Sequence, residues 1–137
     1  MRSLLTVNPI VDVHARAELL RLSAKYDVKS PKLEWSGSGE PPGYFVFDTM
    51  LLSKGWSKAF TIDPINTPRM LSYAIAHELR HWMTFAKHFP IPLPRGPKWG
   101  EKRRDYEEMT AHEFARSEVG ITKSEFWSWW DRMFPGK

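Results

Sequence analysis

The sequence predicts an α+β fold, a small three-stranded antiparallel or mixed sheet packed against helices, and three observations carry that reading. Apolar residues recur at helical spacing near the start of the chain. Three short stretches rich in aromatic and β-branched residues follow. The second half then carries capped, helix-periodic segments. The resulting order is helix, three strands, three helices, with no internal repeat and no break in composition, so residues 1–137 read as one domain.

From Val11 to Tyr26 the side chains of Val11, Ala15, Leu19 and Leu22 fall near one face, flanked by Leu20 and Tyr26. Lys32 to Trp35 alternates polar and apolar like a strand. Ser36 to Gly43 is rich in Gly, Ser and Pro and reads as a loop. Gly43 to Asp48 reads as the second strand, and Lys58 to Asp63 as the third, stopped by Pro64. Asn66-Thr67-Pro68 then announces a helix, with Thr67 as N-cap and Pro68 at the first helical position, running to about Lys87. Phe89 to Gly100 holds Pro90, Pro92, Pro94 and Pro97 and cannot be regular structure. Asp105 is the expected N-cap of a helix ending near Gly120. Thr122-Lys123-Ser124-Glu125 forms a capping box for a last helix through about Met133.

The 137 residues carry 20 Lys and Arg against 16 Asp and Glu, a net charge of +4, mildly basic and no requirement for a nucleic acid. With 42% hydrophobic and 26% charged residues the chain has an ordinary globular mix. There is no cysteine, which excludes disulfides, thiolate metal sites and a cysteine nucleophile. A metal must therefore be held by His, Asp or Glu. No apolar run approaches the ~18 residues of a membrane span. The opening Met1 to Pro9 makes a poor signal peptide, so a cytoplasmic protein is expected.

His77-Glu78-Leu79-Arg80-His81 is an H-E-x-x-H motif inside a capped, partly apolar helix, the context that gives it meaning. Residues four apart on a helix share a face, so His77 and His81 can hold one Zn²⁺ together. Glu78 lies about 100° round the helix, placed for a water rather than the metal. The plain alternative is a pair of surface histidines with a solvated glutamate between them. A catalytic zinc takes three protein ligands. His14, His88, His112 and several carboxylates are candidates for the third, the best stretch being Asp105 to Ala115. Asp105 and Glu108 also have the spacing of an N-cap and its capping-box partner.

These residues resemble the gluzincin metallopeptidases, whose third ligand is a glutamate on a helix downstream of H-E-x-x-H. Glu108, His112, Phe114 and Ala115 match that family's second motif, and Phe60 to Pro64 followed by Tyr73 to Leu79 is similar to its edge strand and active-site helix. The likeness spans roughly residues 43–120. The size and element order are similar to the single-domain minigluzincins and to the small repressor-cleaving peptidases of mobile elements. The resemblance implies a zinc endopeptidase acting on a protein or peptide, with His77, His81 and Glu108 as metal ligands and Glu78 as general base. It also implies an Ala59–Asp63 strand that holds substrate. The departure is His112, where the family has Asp or Asn. His112 then either orients a ligand histidine or is itself a ligand in a three-histidine site.

Two other features have plainer explanations beside functional ones. Arg95, Lys98, Lys102, Arg103 and Arg104, with Trp99 among them, make either a solvated loop or a patch for nucleic acid, as in a SprT-like, DNA-linked protease. Phe126, Trp130, Met133 and Phe134 share a face of the last helix, with Trp127 and Trp129 elsewhere, which reads as core or as a partner-binding face. Tyr106 and His88 are candidates for stabilising an oxyanion by analogy with the gluzincins. A metal-binding but inactive regulatory protein is the remaining alternative class.

Overall fold

A computed structural model describes residues 7–37, 41–85 and 99–135, with the side chains of 85 and 99–104 left aside. The elements run α1 (Pro9–Lys25), β1 (Lys32–Ser36), β2 (Gly43–Val46), β3 (Thr49–Ser53), α2 (Gly55–Ile62), α3 (Thr67–Phe85), α4 (Trp99–Val119) and α5 (Lys123–Met133). This is the expected α+β class: five helices and a small three-stranded mixed sheet.

α1 starts two residues before the apolar pattern does, because Asn8 caps it. The Asn8 side chain accepts from the Ile10 amide at 2.8 Å, and Pro9 takes the first helical position, where its missing N–H costs nothing. Val11, Ala15, Leu19 and Leu22 are buried as the periodicity requires, and Leu20 is exposed.

The sheet has the order β1-β3-β2. β1 pairs parallel with β3, from Lys32 with Thr49 to Ser36 with Ser53. β2 pairs antiparallel with β3, from Gly43 with Leu52 to Val46 with Thr49. β2 is therefore an edge strand. The third strand is Thr49–Ser53, and the expected strand at Lys58–Asp63 is instead the helix α2. Trp56 and Ala59 are fully buried three residues apart, and Phe60 packs beside them. This helical spacing overrides the local β propensity of Phe60-Thr61-Ile62. Ala59–Asp63 cannot add a substrate strand, nor serve as the edge strand in the family likeness. β2 and β3 meet at a two-residue turn, Phe47-Asp48, with Phe47 at φ +56°. That turn lacks the glycine or asparagine that would announce it, so β2 appeared to continue to Asp48.

α3 opens at Thr67, whose hydroxyl donates to the Asp63 carbonyl at 2.8 Å. Asp105 lies inside α4, which begins at Trp99; it is not an N-cap, and the capping-box account of Glu108 falls with it. Gly120, at φ +82°, closes α4 in the left-handed conformation that glycine adopts without strain. The Thr122 capping box is present: Thr122 Oγ1 accepts from the Glu125 amide at 3.1 Å and Glu125 Oε1 from the Thr122 amide at 2.8 Å.

The core gathers α1, β1, β3, α2, α5 and Ala115 of α4 around α3. At its α5 end Trp56 stacks on Trp129 with centroids 5.7 Å apart and meets Trp130 at 4.9 Å. Trp129 thus joins the buried face with Phe126, Trp130 and Met133, against the sequence expectation. Its indole N–H donates to Asp63 at 3.0 Å. α4 packs along α3 and is tied to α1 by Glu118, which accepts from Lys25 at 3.1 Å and from the Tyr26 hydroxyl. No helix among the described residues is long and apolar enough to cross a membrane. The proline-rich run 89–98 lies outside the described residues.

Candidate metal centre

α3 presents Tyr73, His77 and His81 at successive four-residue steps, so all three share a face. α4 runs beside it and presents Glu108 and His112 one turn apart. The Glu108 carboxylate forks between the two histidines. His77 Nε2 lies 3.1 Å from its Oε1 and His81 Nε2 lies 3.2 Å from its Oε2. Ligand atoms of His77, His81 and Glu108 all fall within 4.8 Å of one another. For bonds of about 2.0–2.1 Å, two ligands of a tetrahedral zinc stand about 3.3 Å apart. The carboxylate-to-imidazole spacings are already close to that. Two imidazole nitrogens and one carboxylate oxygen also suit zinc chemically, and three protein ligands beside a cavity leave a position open.

The remaining ring nitrogens are held too. His77 Nδ1 and Glu78 Oε2 share a hydrogen bond of 3.0 Å, and His81 Nδ1 lies 3.7 Å from Glu107 Oε2. A carboxylate thus stands behind each of the two histidines, within hydrogen-bond distance of His77 and at longer range from His81, and such a partner helps direct Nε2 to the shared point. Glu78 and Glu108 also act on the charge of the His77 ring. Burial works against the charge on His77, but hydrogen bonds to Glu108 and Glu78, with the charges of both, raise its pKa to about 9. Glu108 is held well below the usual carboxylate range by its hydrogen bonds to His77 and His81. Burial, then the charge of His77, lowers His112 to about 4. Burial raises the Tyr73 phenol to about 12, so it keeps its proton.

The group opens onto a cavity of about 440 Å³. Its floor is the His77, Glu78 and His81 stretch of α3, its α4 wall is Glu107, Glu108 and His112, and Phe126 and Trp127 of α5 close one end. The rim opposite is Pro41 to Phe45, the start of the edge strand β2 and the residues before it. Glu78 is only 8% exposed, yet lines this cavity. The strand and the helix are in near contact at Gly43, where an added Cβ would stand 3.1 Å from Glu78 Cγ and 3.1 Å from Leu52 Cδ2.

No protein family, curated protein or solved structure compared with the chain matches it. The assignment therefore stands on the geometry of the chain itself.

Of the residues singled out in the sequence, the structure brings together His77, Glu78, His81, Glu108 and His112. His112 stands behind Glu108, with Nε2 3.7 Å from Oε1, and is not one of the three converging ligands. His14 is elsewhere, its Nε2 bonded to Ser72 Oγ at 2.9 Å. Tyr106 is exposed and does not line the cavity. His88, Arg95 and Lys98 lie outside the described residues, as do the side chains of Trp99, Lys102, Arg103 and Arg104. Sequence reasoning passed over Tyr73 and Glu107 as parts of the site. Tyr73 was findable as the residue one turn before His77, and Glu107 as the carboxylate beside Glu108.

Proposed function

We propose that this chain is a zinc-dependent endopeptidase that hydrolyses peptide bonds of a protein or peptide substrate. The observation that carries the reading is the convergence of His77 Nε2, His81 Nε2 and the Glu108 carboxylate at the mouth of a cavity that Glu78 also lines. When bound, zinc supplies Lewis acidity toward a peptide carbonyl and toward water. His77, His81 and Glu108 would hold it, and Glu107 keeps the His81 ring aligned. Glu78 is the general base: one of its carboxylate oxygens takes a proton from the attacking water and returns it to the departing amide nitrogen. Its burial beneath Gly43 keeps bulk water from competing for that proton.

The substrate lies extended along β2, the edge strand in the order β1-β3-β2, whose first residues form the cavity rim. Main-chain pairing with an edge strand gives affinity without demanding a sequence, and the pockets between strand and helices read alternate side chains. Tyr44, Phe126 and Trp127 line this cleft, so a large apolar side chain beside the scissile bond fits it.

The decisive experiment compares zinc-loaded wild type with Glu78→Gln on a mixed peptide library read by mass spectrometry. The wild type should cleave, and the variant should keep its zinc and lose cleavage by at least the ~10²–10⁴-fold a general base contributes. Equal cleavage by both would remove Glu78 from the role. Zinc binding with no cleavage by the wild type would favour the inactive, regulatory alternative.

A further inference from the structure

Tyr73 and His112 belong to the two helices that carry the metal group, and their side chains meet beside it. Tyr73 is 1% exposed, and its hydroxyl lies 2.7 Å from His112 Nδ1. The Tyr73 ring is fixed from its other side by a stack on Phe126, centroids 4.9 Å apart and planes 21° apart. The phenol therefore has little freedom to seek another partner. A buried hydroxyl carries a proton that needs an acceptor, and His112 Nδ1 is at hydrogen-bond distance. A neutral imidazole that accepts at Nδ1 has its own proton on Nε2. That nitrogen faces Glu108: it is 3.7 Å from Oε1, the oxygen that also meets His77.

We propose that Tyr73 locks His112 into the Nε2–H tautomer, making His112 a positioning residue that steadies the Glu108 carboxylate and not a metal ligand. At 3.7 Å the contact is longer than a hydrogen bond, so it acts as an N–H dipole directed at a charged oxygen. A ligand imidazole must offer a lone pair at the coordinating nitrogen, and this tautomer places a proton there. The pattern differs from a histidine that orients another histidine. His112 lies against the His77 ring, centroids 4.3 Å apart, while the His77 Nδ1 partner is Glu78. The tautomer assignment stands on the Tyr73–His112 and His112–Glu108 distances; only its consequence for zinc affinity rests on the metal reading above.

Two measurements test it. The first is the ¹⁵N shifts of the His112 ring in labelled protein, metal-free and zinc-loaded, beside Tyr73→Phe. The expected result is a protonated Nε2 and an accepting Nδ1 in both wild-type states, and a changed tautomer balance in Tyr73→Phe. A protonated Nδ1, or a zinc-shifted Nε2, would overturn the proposal. The second is zinc affinity by competition with a chromophoric chelator. His112→Ala should bind about 10–100-fold more weakly, and His112→Gln, which can accept from Tyr73 and donate toward Glu108, should recover most of that loss. A glutamine variant as weak as the alanine one would also overturn it. A wild type that binds no zinc would sink the metal reading, while the metal-free shifts would still decide the tautomer.

Discussion

α3 is packed on two sides by surfaces of opposite kinds. Toward α2 and α5 it meets Trp56, Phe126, Trp129 and Trp130, a layer of rings in which each touches several others. Toward α4 it meets Glu107, Glu108 and His112 through His77 and His81, in a few contacts between individual polar groups: the Glu108 carboxylate at 3.1 and 3.2 Å from the two histidines, Glu107 at 3.7 Å from His81, and the His112 ring against that of His77. Tyr73 stands on the boundary, its ring stacked on Phe126 and its hydroxyl on His112. The ring layer is redundant and non-directional, so it holds the helices at their spacing. The polar layer has little redundancy, so it depends on that spacing being right. The rule for this molecule is that the ring layer lies on one side of α3 and the candidate site on the other.

Removing a ligand breaks the polar side most completely. His77→Ala and His81→Ala should each abolish stoichiometric zinc while circular dichroism shows the helices retained. Metal analysis that finds wild-type zinc in both would end the assignment of the site.

On the apolar side the largest change is Trp56→Ala. Trp56 is fully buried, and the substitution should cost about 3–5 kcal/mol in urea unfolding. A cost near zero would show that the ring layer is not what sets the helix spacing.

pH sharpens the comparison, because of the two layers only the polar one carries histidines. In the metal-free protein the folded-state pKa of His77, about 9, lies above the ~6.5 of an unfolded histidine. The clamp's contribution is thus fully present below about pH 6.5 and is lost as pH rises through about 9. The urea midpoint of chelator-treated wild type should fall across that window, and that of His77→Ala should fall less. Identical profiles would refute the clamp.

The smallest effect lies outside both layers. Thr122→Ala removes half of the α5 capping box and should cost about 1 kcal/mol, with zinc affinity unchanged.

Elements whose signals are local were legible in the sequence. Thr122 and Glu125 announce α5 because both halves of the box lie within one turn. Val11, Ala15, Leu19 and Leu22 announce α1 because burial follows period. His77 and His81 required nothing but a helix to share a face. What failed depended on the rest of the molecule. Lys58–Asp63 reads as a strand from the local β propensity of Phe60-Thr61-Ile62, and the burial of Trp56 and Ala59 at helical spacing makes it a helix. β3 was hidden because Phe47-Asp48 turns without a glycine. Asp105 looked like a cap because the residues before it read as loop. In the site, Glu107 behind His81 and the β2 rim over Glu78 arise from packing between elements distant in sequence, which spacing along one helix does not reveal.

Gly43 has a consequence for how the cleft is gauged. The rim of the cleft rests on the helix through a position with no side chain, 3.1 Å from the flank of Glu78 once a carbon is added. That missing carbon is a shim: it sets how closely the edge strand approaches the Glu78 side chain. An alanine there would force the Glu78 and Leu52 side chains to give by a few tenths of an ångström, and Glu78 would carry that shift to the His77 Nδ1 it bonds. The molecule therefore carries a one-carbon adjustment of the cleft's width, set on the strand and felt at the histidine pair.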